Sequence, residues 1–143
     1  MAHRYFADPS SGLVLFTDDG AFEYAEWEKT VLEMLADPDV RKPRRILADR
    51  RKLKSPITLG MLEQGEALVR SHLTELQDTR WAMLTNPGSS LDRSSDMIED
   101  VARPVLVFRV FTDLTNGLRW LFPYYDEGEL KLLIDWVERT HLI

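Results

Sequence analysis

The sequence predicts a single α/β domain: a mixed sheet of about five strands whose first strand is an antiparallel edge and whose remainder is largely parallel. Three observations lead there. Short apolar runs alternate with stretches of helical period, the order that parallel sheets with helical crossovers produce. Two of those runs flank a turn near the N-terminus, which adds an antiparallel edge strand. A length of 143 residues with 44% apolar content and no cysteine suits one core that needs no disulfide.

Tyr5-Phe6 and Leu13-Val14-Leu15-Phe16 are separated by Asp8-Pro9-Ser10-Ser11-Gly12, which is turn chemistry, so the pair reads as a hairpin. After Asp18-Asp19-Gly20 a helix places Trp27, Val31, Met34 and Leu35 at helical spacing and stops at Asp37-Pro38-Asp39, where proline blocks continuation. Ile46-Leu47-Ala48 is a short buried strand ending at Asp49. Ser55-Pro56 then opens a helix, with serine as cap and proline at the first helical position. That helix carries Met61, Leu62, Gly65, Leu68, Val69, Leu73 and Leu76 on its inner stripe. Trp81 to Leu84 is the next strand, closed by Asn86-Pro87-Gly88, and a polar helix from about Asp92 turns Met97, Ile98 and Val101 inward. Val105-Leu106-Val107-Phe108 is strand-like, and Thr112 is expected to cap a helix with Leu114, Leu118 and Leu121 on its inner face.

Residues 1–122 make up this domain, and 123–143 read as a C-terminal helical extension packed on the domain or on a partner. Its helix, about Glu127 to Arg139, has an inner stripe of Leu130, Leu133, Ile134 and Val137. Leu132 and Trp136 fall nearly opposite that stripe, so the helix is apolar on two sides and asks for two neighbours. The second is a second subunit or a ligand; alternatively Trp136 folds back on Tyr124-Tyr125.

The net charge of −6 conceals an asymmetry. Between Val40 and Lys54 eight basic residues face one acid, so this stretch carries +7 and the remainder −13. Arg44, Arg45, Arg50, Arg51 and Lys52 are therefore candidates for a surface that meets an anionic partner. The bland alternative is that they flank a buried strand and lie in solvent or pair with nearby acids. Nucleic acid is disfavoured, since the run lacks interleaved aromatics and the chain as a whole is acidic. No apolar run approaches the length of a membrane span, and the N-terminus lacks the apolar stretch of a secretory signal. A soluble cytoplasmic protein is the expectation.

Catalytic and metal-binding patterns are not recognised. His3 and His141 lie near the termini, and His72 at the edge of an apolar helical face reads as a packing residue. No His-x-x-x-His or Glu-x-x-His pair appears, which disfavours a metal. No Gly-x-Ser-x-Gly elbow, Walker loop or dinucleotide fingerprint is present, so no cofactor is expected. Asn86 to Ser90 follows a strand and precedes a helix, a place that can cup an anion or serve as an ordinary loop. The expectation is a protein that is not an enzyme.

The element order, with Leu35-Ala36-Asp37-Pro38, Ile46-Leu47-Ala48-Asp49, Val107 to Asp113 and Gly117-Leu118-Arg119-Trp120-Leu121, resembles the STAS-like superfamily of the bacterial anti-anti-sigma factors. It looks still more like the small bacterial proteins grouped with STAS and CRAL-TRIO-type domains. The resemblance covers about residues 1–122 and implies a mixed sheet with helices mainly on one face, plus the extra C-terminal helix. Anti-anti-sigma factors are switched by phosphorylation of a serine in an Asp-Ser-Ser-Gly motif. That motif is missing here, and Ser55 and Thr58 sit near its position, Ser55 doubling as a plain cap. The resemblance implies a regulatory or scaffolding module that binds a protein partner, with a homodimer expected. Its CRAL-TRIO side implies the alternative, a carrier of a small apolar ligand or lipid.

Overall fold

The structure, a computed structural model, describes residues 3–55, 58–93 and 107–141. Among these the chain forms strands β1 (His3–Ala7), β2 (Leu13–Gly20), β3 (Arg45–Leu53), β4 (Arg80–Leu84) and β5 (Val107–Phe111). The helices are α1 (Tyr24–Ala36), α2 (Leu59–Ser71), the short α3 (Ser90–Arg93), α4 (Leu114–Leu121) and α5 (Glu127–His141). The strands lie side by side in chain order, β1 antiparallel to β2 and every other pair parallel. This is the mixed sheet that alternation and the N-terminal turn signalled.

Leu13, Val14, Leu15 and Phe16 are all fully buried, because both faces of β2 are covered. Val14, Phe16, Ile46, Ala48 and Trp81 point to the face that receives Trp27, Val31 and Met34 of α1 and Leu68 of α2. Successive parallel steps in one direction, each right-handed, put their crossover helices on one face. Leu13, Leu15, Leu47, Ala82 and Leu84 point to the other face, where Leu118 and Leu121 of α4 and Leu130, Leu133 and Val137 of α5 close a second core. The expectation that helices gather mainly on one face therefore holds for the crossovers α1 and α2 and is corrected for α4. Once β5 is laid down no further parallel step follows, and the chain turns back over a sheet face that would otherwise expose leucines.

Several local expectations shift. β3 runs on past Asp49 to Leu53. The cap of α2 is Thr58, whose Oγ1 accepts the Met61 N–H at 3.2 Å. Ser55 lies three residues before that cap, and its Oγ accepts the Phe22 N–H at 3.0 Å instead. Asp113, not Thr112, caps α4, its carboxylate accepting the Asn116 N–H at 3.1 Å. Leu73 is exposed, since α2 ends at Ser71 and helical spacing no longer governs it. Pro56, Met97, Ile98, Val101, Val105 and Leu106 lie outside the described residues.

Candidate functional site

The basic run does not form one patch. β3 separates its two halves: Arg45 and Arg51 stand six residues apart on an extended strand, about 20 Å. Arg41, Lys42 and Arg45 belong to the amino edge of the parallel strands, and Arg50, Arg51 and Lys52 to the carboxyl edge. Arg44 and Arg50, expected on a surface, are buried, 2% and 5% exposed. Arg44 donates to the carbonyls of Glu75 and Leu35. Arg50 points to the α1 face with Ile46 and Ala48, where Asp18 awaits it. Both are corrected from surface to interior, because the alternation of β3 turns them onto a covered face or into a crevice of carbonyls. Arg51 is half-buried and binds Asp49 through two N–H groups, at 3.0 and 2.8 Å. Lys52 is exposed, and Arg45 is half-buried at the opposite edge.

At the carboxyl edge the hairpin register sets His3 opposite Asp18. The ring Nδ1 and the Asp18 carboxylate are 2.5 Å apart, and Arg50 Nε lies 3.1 Å from the other carboxylate oxygen. His3 is 0% and Asp18 2% exposed. The ring of Phe22 packs edge-on to His3 and under the Arg50 guanidinium, 5.0 Å from its centre. Burial holds the Arg50 guanidinium below its ordinary value against the opposing pull of Asp18.

A histidine held by an aspartate is the geometry of a general base. Here, however, Nε2 accepts the Glu23 N–H at 3.0 Å. That contact fixes the tautomer with its proton on Nδ1 and occupies the atom that would take a substrate proton. The trio is a structural clasp between β1, β2, β3 and the start of α1. Sequence reading passed over His3 as a terminal residue. Continuing the hairpin register back from the Asp8–Gly12 turn would have placed it across from Asp18.

Thr58 is exposed and Ser55 half-buried. Both hydroxyls act as acceptors for main-chain N–H groups at the opening of α1 and of α2.

The outer side of α5 forms a groove of about 320 Å³ against the β1–β2 turn, lined among others by Tyr125, Glu129, Leu132, Trp136 and Arg139. Asp8 holds the turn, accepting from the Ser10 N–H and the Ser11 hydroxyl. Leu132 is 70% exposed. Trp136 is half-buried against the second core, and it shares the groove with Tyr125, so the fold-back and the outward readings each describe part of its surface. Among the described residues no helix is long and apolar enough to cross a membrane.

No family model and no curated protein matches the chain. Among solved structures it is similar to an uncharacterized protein of the DUF3478 family with a SpoIIAA-like fold, from Shewanella loihica PV-4. The two are 20% identical over 83% of this chain and 94% of that one, with a TM-score of 0.56. Likeness at this identity speaks for architecture alone: the chain has a SpoIIAA-like, STAS-type fold carrying α4 and α5 on the second face of its sheet.

Proposed function

We propose that the chain is a non-enzymatic regulatory or scaffolding module that works by pairing with a second copy of itself along the outer side of α5. The observation that carries this is a stripe spaced by three, four and three residues: Glu129, Leu132, Trp136, Arg139. That is the spacing of a helix–helix seam. The stripe has opposite charges at its two ends and apolar side chains between them. An antiparallel two-fold pair sets Glu129 against Arg139 of the other copy and Leu132 against Trp136, a self-complementary contact. A parallel pair would set like charge on like. The occupied Nε2 of His3 supports the non-enzymatic part, and the regulatory part rests on analogy of fold. The apolar-carrier alternative is less well supported: each described groove has charged side chains in its wall, whereas apolar ligands favour mainly apolar walls.

Sedimentation velocity over a micromolar to millimolar series tests the pairing. Leu132→Asp is expected to yield a monomer of unchanged fold, and Glu129→Arg a monomer that also loses the carboxylate accepting the Asp126 N–H at the start of α5. The double swap Glu129→Arg with Arg139→Glu is expected to restore the dimer. A wild-type protein that stays monomeric throughout, or a double swap no better than the single one, overturns the proposal.

A further inference from the structure

The amino edge of the sheet brings four cations together away from the seam residues Leu132 and Trp136. Arg45 opens β3 and Arg80 opens β4, and the two are register partners on adjacent parallel strands. Arg41 and Lys42 come from the loop before β3. All four line one open basin of about 470 Å³, whose opposite wall includes Phe122 and Tyr124 from the α4–α5 connection. Among the described residues no carboxylate lines it and none of the four cations is in an ion pair.

Like charges directly opposite each other on neighbouring strands destabilise a sheet. Burial first, and then the field of Arg80, hold the Arg45 guanidinium below its ordinary value, with Asp78 opposing. Yet Asp78 meets Arg45 through its main-chain carbonyl, at 2.8 Å, and the Arg44 carbonyl accepts from the same nitrogen at 3.0 Å. Arg80 donates to the Trp120 carbonyl at 2.8 Å and lies over the Trp120 ring. Arg41 donates to the carbonyls of Pro9 and Ser10. Carbonyls fix the position of a guanidinium without cancelling its charge, and each fork keeps further N–H donors. Three arginines are thus held in place at one site, two of them, Arg45 and Arg80, repelling each other across adjacent strands, on a protein that is otherwise strongly acidic. At the mouth the ring of Tyr124 is 96% exposed.

We propose that this basin binds a small multivalent oxyanion of the phosphate class, a phosphomonoester or diphosphate group, carried by a soluble molecule or by a lipid headgroup. Arg45 and Arg80 take its oxygens through their planar forks. Arg41 and Lys42 complete the charge, and Tyr124 offers a flat apolar surface to the body of the ligand. An anion seated there relieves the repulsion between Arg45 and Arg80, so binding stabilises the folded chain by mass action.

Calorimetric titration of the full chain with inorganic pyrophosphate tests this, beside sedimentation with phosphatidylcholine vesicles with and without phosphatidate. The expected result is saturable pyrophosphate binding that raises Tm and weakens with salt. Arg45→Gln should weaken it about tenfold or more. Lys42→Gln, at an exposed position, guards against a folding artefact and should weaken it by a smaller factor. Binding confined to vesicles containing phosphatidate, and weakened by the same two substitutions in the same order, places the oxyanion on a lipid. Binding to neither probe, or binding indifferent to both substitutions, overturns the proposal. The Leu132→Asp protein should titrate like the wild type, which separates this site from the pairing of α5.

Discussion

The two ends of the sheet treat arginine in opposite ways. At the carboxyl edge Arg50 is buried 3.1 Å from Asp18, and Arg51 grips Asp49 with two N–H groups. At the amino edge Arg41, Arg45 and Arg80 are held by main-chain carbonyls of Pro9, Asp78 and Trp120. A carboxylate both orients and neutralises its arginine. A carbonyl only orients it. One end is therefore closed electrostatically and serves the fold, while the other keeps its charge for something that arrives from outside. The class of the partner, not the number of cations in a stretch of sequence, distinguishes the two.

The largest expected effect breaks the closed end. Asp18→Ala leaves Arg50 buried and uncompensated and takes away the acceptor of His3, and removing one member of a buried pair costs about 3–5 kcal/mol. Lys42→Gln at the open end should change stability by no more than about 0.5 kcal/mol, as surface substitutions do. Urea unfolding midpoints of the two variants check this. Equal losses would erase the distinction between the edges.

Much of the architecture was legible from periodicity and turns: the hairpin, the strands at Ile46 and Trp81, the stripes of α1 and α5, and the second apolar side at Leu132 and Trp136. What the sequence obscured was direction. Arg44, Arg45, Arg50, Arg51 and Lys52 look like one basic patch until the period of β3 sends Arg50 to one face, Arg51 to the other and Arg45 to the far end. The amino-edge basin could not be read at all, because Arg80 and Tyr124 come from distant segments and only strand pairing and the α4–α5 turn bring them beside Arg45. Caps failed for a related reason. Ser55 and Thr112 are good local candidates, but Ser55 has a long-range partner in Phe22, and Asp113 next door to Thr112 is the stronger acceptor.

Glycine offers a sharper test of the same contrast. Gly12, at the amino edge, and Gly20, at the carboxyl edge, have φ of 82° and 76°. An alanine at either position is strained by about 1–2 kcal/mol. A Cβ at Gly20 meets nothing within 4 Å, whereas one at Gly12 would stand 3.0 Å from Arg41 Cδ. Both variants should lose similar stability in urea unfolding, and only Gly12→Ala should also weaken pyrophosphate binding, by pushing Arg41 from its carbonyls. Equal pyrophosphate affinity in the two variants would remove Arg41 from the basin.

The smallest effect concerns the acid beside that open end. Arg41 also borders a groove with Asp37 and Asp39, yet Asp37 is engaged elsewhere: Tyr5 Oη donates to it at 2.8 Å and the Asp39 N–H at 2.9 Å. The Asp39 N–H, and then Tyr5, hold the Asp37 carboxyl below its ordinary range. Burial, and then this bond to Asp37, push the Tyr5 phenol from 10.0 up to about 12. A folded-state value raised in this way contributes stability that is complete below pH 10.0 and is lost as pH climbs toward about 12. Asp37 has the opposite sign: its contribution is present above the ordinary carboxylate range and is lost as pH falls through its lowered value. Tyr5→Phe should therefore flatten the alkaline decline of Tm between pH 10 and 12 while leaving most of the acid limb in place, since the main cause of the Asp37 shift survives. Tyr24, also raised to about 12, keeps the flattening partial. A Tyr5→Phe protein whose alkaline limb matches the wild type would show that burial and the bond to Asp37 do not raise the Tyr5 phenol in the folded chain.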